Sequence, residues 1–152
     1  AAEKALATAR QVNPRDEATL GRLAAVYLLQ GRKADADAIT KEVESFDTRP
    51  GVYFAELAGA LEDRKRYADA EKSFRKAAEL RPMLATPRTG LGMLYLRLGD
   101  EKQGRDLLTK AFDADPFNVR VANSLKVLKH LDDYETIQTP HYELRFNPKT
   151  DK

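Results

Sequence analysis

One frame of residues recurs through this chain every 34 positions, and it leaves few ways to fold. Leu20, Leu23, Ala24 and Tyr27 return as Phe54, Leu57, Ala58 and Leu61, and again as Arg88, Leu91, Gly92 and Tyr95. Behind these sets, Ala36, Ala70 and Gly104 share a second place, Thr40, Phe74 and Leu108 a third, and Thr48, Pro82 and Pro116 close the unit. Spacings of three and four put each set on one face of a helix. Gln30-Gly31-Arg32 and Leu98-Gly99-Asp100 separate the helices, and glycine accepts a positive φ there without steric cost. Lys65 and Arg66 hold that place in the middle unit, so its turn is expected to be helix-like or slightly strained. Each unit therefore reads helix, turn, helix. One such pair cannot cover its own apolar faces, so the units must stack.

The frame resembles the tetratricopeptide repeat (TPR), whose pattern is W-x2-L-G-x2-Y, then A-x3-F, then P. Arg88, Leu91, Gly92, Tyr95, Gly104, Leu108 and Pro116 fill those places most completely. The resemblance implies an all-α fold: a right-handed alpha solenoid of helix-turn-helix units. Residues 1–16 then form the second helix of a partial repeat, with Ala2, Leu6 and Ala9 as packing residues and Pro14 closing it. Residues 17–50, 51–84 and 85–118 are three full repeats, and 119–133 a capping helix. In that cap Leu125 is in frame, while Lys126 and Lys129 replace the glycine and tyrosine of the unit before and suit a solvent-facing surface. Natural domains seldom begin in mid-unit, so the sequence is expected to be a piece of a longer array.

After the cap the period changes. Residues 134–139 are rich in β formers, and beyond Pro140 the residues Tyr142, Leu144 and Phe146 alternate with Glu143 and Arg145, the signal of a half-buried strand. Residues 134–152 are expected to form a short β-hairpin or extended segment that lies on another surface, because a lone hairpin is marginal in water. Such an apolar strand also favours self-association.

Charge and chemistry exclude more than they assign. With 26 basic and 24 acidic side chains the formal charge is +2, which gives no field to draw nucleic acid or an anionic bilayer. No run approaches the roughly 18 apolar residues of a spanning helix, and Ala1 to Ala7 do not read as a secretion signal. Zero cysteines rule out disulfides and thiolate metal sites without fixing a compartment. His130 and His141 belong to no H-E-x-x-H or other ligand spacing, so no metal and no cofactor are expected. No serine sits in a Gly-x-Ser-x-Gly elbow, and Gly90 and Gly92 do not follow a strand as a phosphate loop would require. Catalysis within this chain is not expected.

Binding is what the resemblance implies. TPR arrays line a concave groove with their first helices, and the corresponding positions here include Arg22, Ala25, Leu28 and Leu29 from the first repeat. The second supplies Glu56, Gly59, Glu62 and Asp63, the third Thr89, Met93, Leu96 and Arg97, and the cap Arg120 and Asn123. The expected ligand is a peptide or partner domain, with Leu28, Leu29, Met93 and Leu96 as apolar anchors and the charges setting specificity. The small residues of the floor have two readings: they open the groove to a ligand, or they let neighbouring helices approach. The co-chaperone branch of the family clamps a C-terminal carboxylate with lysine, arginine and asparagine. Gly21, Ala25, Glu56, Thr86 and Gly90 stand in those places, and Glu56 would repel the carboxylate.

A second resemblance covers under twenty residues. Tyr134, Ile137, His141, Tyr142, Leu144 and Phe146 are similar to the lead strands of gluzincin-type metallopeptidase domains that follow TPR arrays in some bacterial proteins. It implies an alternative role, as an accessory substrate-recognition region of a larger metallopeptidase whose catalytic domain lies downstream.

Overall fold

The structure is a computed structural model, and it describes residues 1–150. The described chain runs through α1 (Ala2–Val12), α2 (Glu17–Leu29), α3 (Lys33–Phe46), α4 (Gly51–Asp63) and α5 (Tyr67–Leu80). Then come α6 (Ala85–Arg97), α7 (Glu101–Ala114), α8 (Val119–Leu131), β1 (Glu135–Gln138) and β2 (Glu143–Phe146).

The starts and stops follow from local chemistry. The carboxylate of Asp16 accepts from the Thr19 amide at 2.9 Å, that of Asp100 from Gln103 at 3.0 Å, and the Asn118 side chain from Val121 at 3.2 Å. Each side chain thereby satisfies a donor that the first turn of its helix leaves unpaired. At the other end α2, α4 and α6 close identically: the amide of Arg32 donates to Tyr27 at 2.8 Å, Arg66 to Leu61 at 2.9 Å, and Asp100 to Tyr95 at 2.9 Å. A closing bond of this span needs the residue before the donor to be left-handed. Gly31 and Gly99 comply at φ 76° and 84°, and Lys65 complies at 61°. Of the two expectations for the middle turn, the helix-like one fails and the strained one holds. The turn keeps its closing bond although a Cβ costs about 1–2 kcal/mol in that conformation.

Helices α2 to α8 then pack where the frame puts them, whereas in α1 only Leu6 reaches the core, and Ala2 and Ala9, expected to pack, are exposed. Leu20, Leu23 and Ala24 of α2, Ala36, Ile39 and Val43 of α3, and their counterparts in α4 and α5 form one continuous core that extends to Leu91, Leu94 and Tyr95 of α6. A smaller core follows, made by Leu108, Val121 and Leu128, with Met93, Leu96, Phe112 and Leu125 against it. Polar bonds tie successive units. The hydroxyl of buried Tyr53 lies 2.7 Å from that of Thr40, and Tyr95 donates to Glu71 at 2.6 Å. Arg81 donates to Asp47 at 2.6 Å and to the Arg49 carbonyl at 2.8 Å, while Arg49 donates to the Leu80 carbonyl at 2.7 Å. The ends of α3 and α5 are so held together.

The hairpin forms, but it is not half-buried as its alternation suggests. Ile137 faces Leu144 and Glu135 faces Phe146 across an antiparallel pair. Arg145, on the opposite face, makes its ion pair with Glu101 of α7. The polar face thus supplies an ion pair to the helices; on the apolar face Phe146 is half-buried, while Ile137, Tyr142 and Leu144 remain 50%, 77% and 57% exposed.

Candidate functional site

The first helices α2, α4 and α6, joined by α8, enclose a concave hollow of about 440 Å³. Its lining includes Arg22, Glu56, Gly59, Glu62, Asp63, Thr89 and Arg120, all expected from the frame. Ala55, Ala60, Thr86, Gly90 and Phe74 complete it.

The glycines of these helices serve two different ends. A Cβ added at Gly59 would meet nothing within 4 Å, so this floor is open by composition. At Gly90 it would stand 2.4 Å from the ring of Phe74, and at Gly21 it would stand 2.5 Å from the Tyr53 carbonyl oxygen. Gly21 and Gly90 therefore serve helix packing. Gly90 also explains Phe74, which belongs to a second helix yet reaches the floor through the space the glycine leaves. The frame marks Phe74 only as a core residue, so its place in the hollow was not foreseen.

The walls are charged, and most charges have partners. Arg22 meets Glu56 at 2.7 Å, and Arg97 meets Glu62 at 3.5 Å. Glu62 keeps only 14% of its side chain exposed; burial pushes its carboxyl above the ordinary value, while Arg97 and Arg120 oppose that shift. Neither Asp63 nor Arg120 reaches an ion-pair partner among the described residues. The hydroxyl of Thr89 is buried without a hydrogen-bond partner.

Other expected groove residues lie elsewhere. Ala25 is 0% exposed and forms no part of an accessible wall, because α4 approaches α2 closely over Gly21. Leu28 is half-buried against the main core and Leu29 is exposed, and neither is part of the lining of this hollow. Leu96 and Asn123 line a second, more apolar hollow of about 340 Å³ with Glu101, Ser124, Val127, Leu128 and Leu131. Met93 packs beneath it, its sulfur 3.5 Å from the Ser124 hydroxyl. His130 stacks edge-on against Tyr134, and His141 beside Tyr142. Among the described residues no three metal-ligating side chains stand together, and no helix is long and apolar enough to cross a membrane.

Stacked helix pairs around a concave wall define an alpha solenoid built of repeats. Residues 53–82 and 87–118 match the family model of the tetratricopeptide repeat, and these two stretches are repeats of that family. No curated protein sequence matches the chain. Among solved structures it is similar to MamA, at 20% identity over 84% of this chain and 75% of that one, with a TM-score of 0.59. It is also similar to pilF of Pseudomonas aeruginosa, at 21% identity over 84% of this chain and 58% of that one, with a TM-score of 0.61. A third is the first TPR domain of Spaghetti (RPAP3) bound to the HSP90 peptide SRMEEVD, at 18% identity over 75% and 90%, with a TM-score of 0.58. At these identities the likeness is one of fold.

Proposed function

We propose that the chain is a non-catalytic interaction scaffold that holds a peptide, or an extended segment of a partner protein, in the hollow between α2, α4, α6 and α8. The observation that carries this is the open floor at Gly59, bounded by Arg120 and Asp63, which lack ion-pair partners among the described residues. A small floor admits a backbone, and the two unpaired walls give it a direction: an acidic group toward Arg120 and a basic one toward Asp63. Thr89 supports the reading, since a ligand amide that turned its hydroxyl outward would satisfy an oxygen now without a partner.

The RPAP3 domain is an informative contrast, because it binds a peptide that ends in an acidic sequence. Here Glu56 stands in the groove, already paired with Arg22, and Gly21, Ala25, Thr86 and Gly90 supply no cation. A ligand of mixed charge fits these walls better than an acidic tail. The accessory-region role draws on residues of the exposed hairpin, none of which lines the hollow.

The test is a displayed peptide library selected on the chain, with each selected peptide then titrated against Gly59→Leu. Expected is saturable binding that Gly59→Leu abolishes while far-ultraviolet circular dichroism stays unchanged. Peptides that bind the filled variant as well as the original would refute the site.

A further inference from the structure

We propose a second docking surface, independent of the groove, on the side of α8 away from it, and an acidic amphipathic helix of a partner protein as its occupant. Between α7 and α8 lies a hollow of about 250 Å³, floored by Phe112, Ala122 and Leu125 and rimmed by Lys126 and Lys129. The frame contains its counterpart three periods earlier. Arg10, Leu23 and Tyr27 stand there in the places of Phe112, Leu125 and Lys129.

At the earlier hollow a helix lies alongside. Glu42 of α3 lines it and joins Arg10 in an ion pair. One period on, Lys76 of α5 makes the corresponding pair with Glu44 of α3 at 3.1 Å. In both units the next helix of the frame covers the face, and Leu23 is only 1% exposed. After α8 the chain leaves the frame for the hairpin, so residues 133–150 supply no such helix, and Leu125 stays half-buried. The fold has thus built the seat for a helix and left it uncovered.

The charges name the occupant. Lys126 holds the place of Ala24, Ala58 and Gly92, which the following helix buries in the earlier units. A helix seated here meets Lys126 directly and Lys129 one turn on, and neither lysine has an ion-pair partner among the described residues. An apolar stripe flanked by carboxylates satisfies floor and rim together. The chain's own α3 has this composition, with Ala36, Ile39 and Val43 as its stripe and Asp35, Asp37, Glu42 and Glu44 around it.

The probe is therefore a hydrocarbon-stapled, fluorescein-labelled peptide of the α3 sequence, titrated with the whole chain by anisotropy. Saturable binding is expected, weakened at least tenfold by Lys126→Glu with Lys129→Glu. Both lysines are exposed, so that variant leaves the core intact. Replacing all four acidic residues of the peptide, Asp35, Asp37, Glu42 and Glu44, by lysine should weaken binding to the original chain and restore it to the reversed one. Absence of binding overturns the proposal. Binding indifferent to both reversals also does, since the peptide then sits in the place of the chain's own α3. Sedimentation showing dimers that the lysine reversals dissolve overturns it as well, by making a second copy the occupant.

Discussion

Gly21 lies against the backbone of Tyr53 so closely that a Cβ on it would stand 2.5 Å from the Tyr53 carbonyl oxygen. Nothing flexible is there to yield. Gly59, also in a first helix, faces open space. The same substitution should therefore act with opposite sign at the two sites. Gly21→Ala is expected to destabilise by about 1–3 kcal/mol through overpacking. Gly59→Ala is expected to stabilise by about 0.5–1 kcal/mol through helix propensity. Urea unfolding of the two variants decides it, and a shared sign would show that the α2–α4 approach is not what holds the N-terminal units together.

Lys65 carries a left-handed backbone that Gly31 and Gly99 carry in the neighbouring units. Lys65→Gly should raise stability by about 1 kcal/mol, the strain relieved exceeding the entropy that glycine adds to the unfolded chain. A midpoint in thermal unfolding that falls instead would place the strain elsewhere in the turn.

Tyr53 gives a pH signature. Burial lifts its hydroxyl from 10.0 to about 12, with the Thr40 hydrogen bond acting in the other direction. Between those values the unfolded chain has lost the proton that the folded chain keeps, so the contribution of Tyr53 is full below pH 10 and declines as pH rises toward 12. Tyr53→Phe should cost about 1 kcal/mol at pH 7 through the lost hydrogen bond. It should be spared this part of the alkaline decline. The stabilities of the two proteins are expected to converge as pH climbs through that window, and parallel curves would count against the assignment.

Asp16 caps α2 by accepting from the Thr19 amide and hydroxyl, bonds that hold its carboxyl below the ordinary value. Asp16→Ala should cost about 1 kcal/mol at pH 7. That difference is present above the unfolded value of 3.8 and disappears as pH falls through the lower folded value. Matched urea titrations at neutral and acid pH measure it.

The helices were legible because their signals repeat. A run such as Phe54, Leu57, Ala58 and Leu61 admits one period, and the breakers on either side admit few boundaries. The site was legible only in part. Ala25, Gly59 and Met93 occupy one place in the frame, yet the first is buried, the second open and the third packed under a neighbouring hollow. What separates them is how closely the next helix comes, which depends on residues one period away. Alternation in the hairpin told which side chains share a face, but not how little of the apolar face would be covered: Phe146 is half-buried there, Leu144 is exposed, and the ion pair to α7 comes from Arg145 on the other face. At Lys65 the strained expectation held and the helix-like one failed, since a closing bond common to three turns overrode the preference of one residue.

The division of the apolar interior into a long core from Leu20 to Tyr95 and a short one at Leu108, Val121 and Leu128 is expected to give the two ends of the molecule unequal local stability. Amides of α8 are expected to exchange with solvent through openings that leave α2 to α5 closed, so that their protection would report a local equilibrium and not the unfolding of the whole. Anything that settles on α8 draws on that equilibrium, and its grip would be read as slower exchange in one helix while the rest of the chain keeps its own clock.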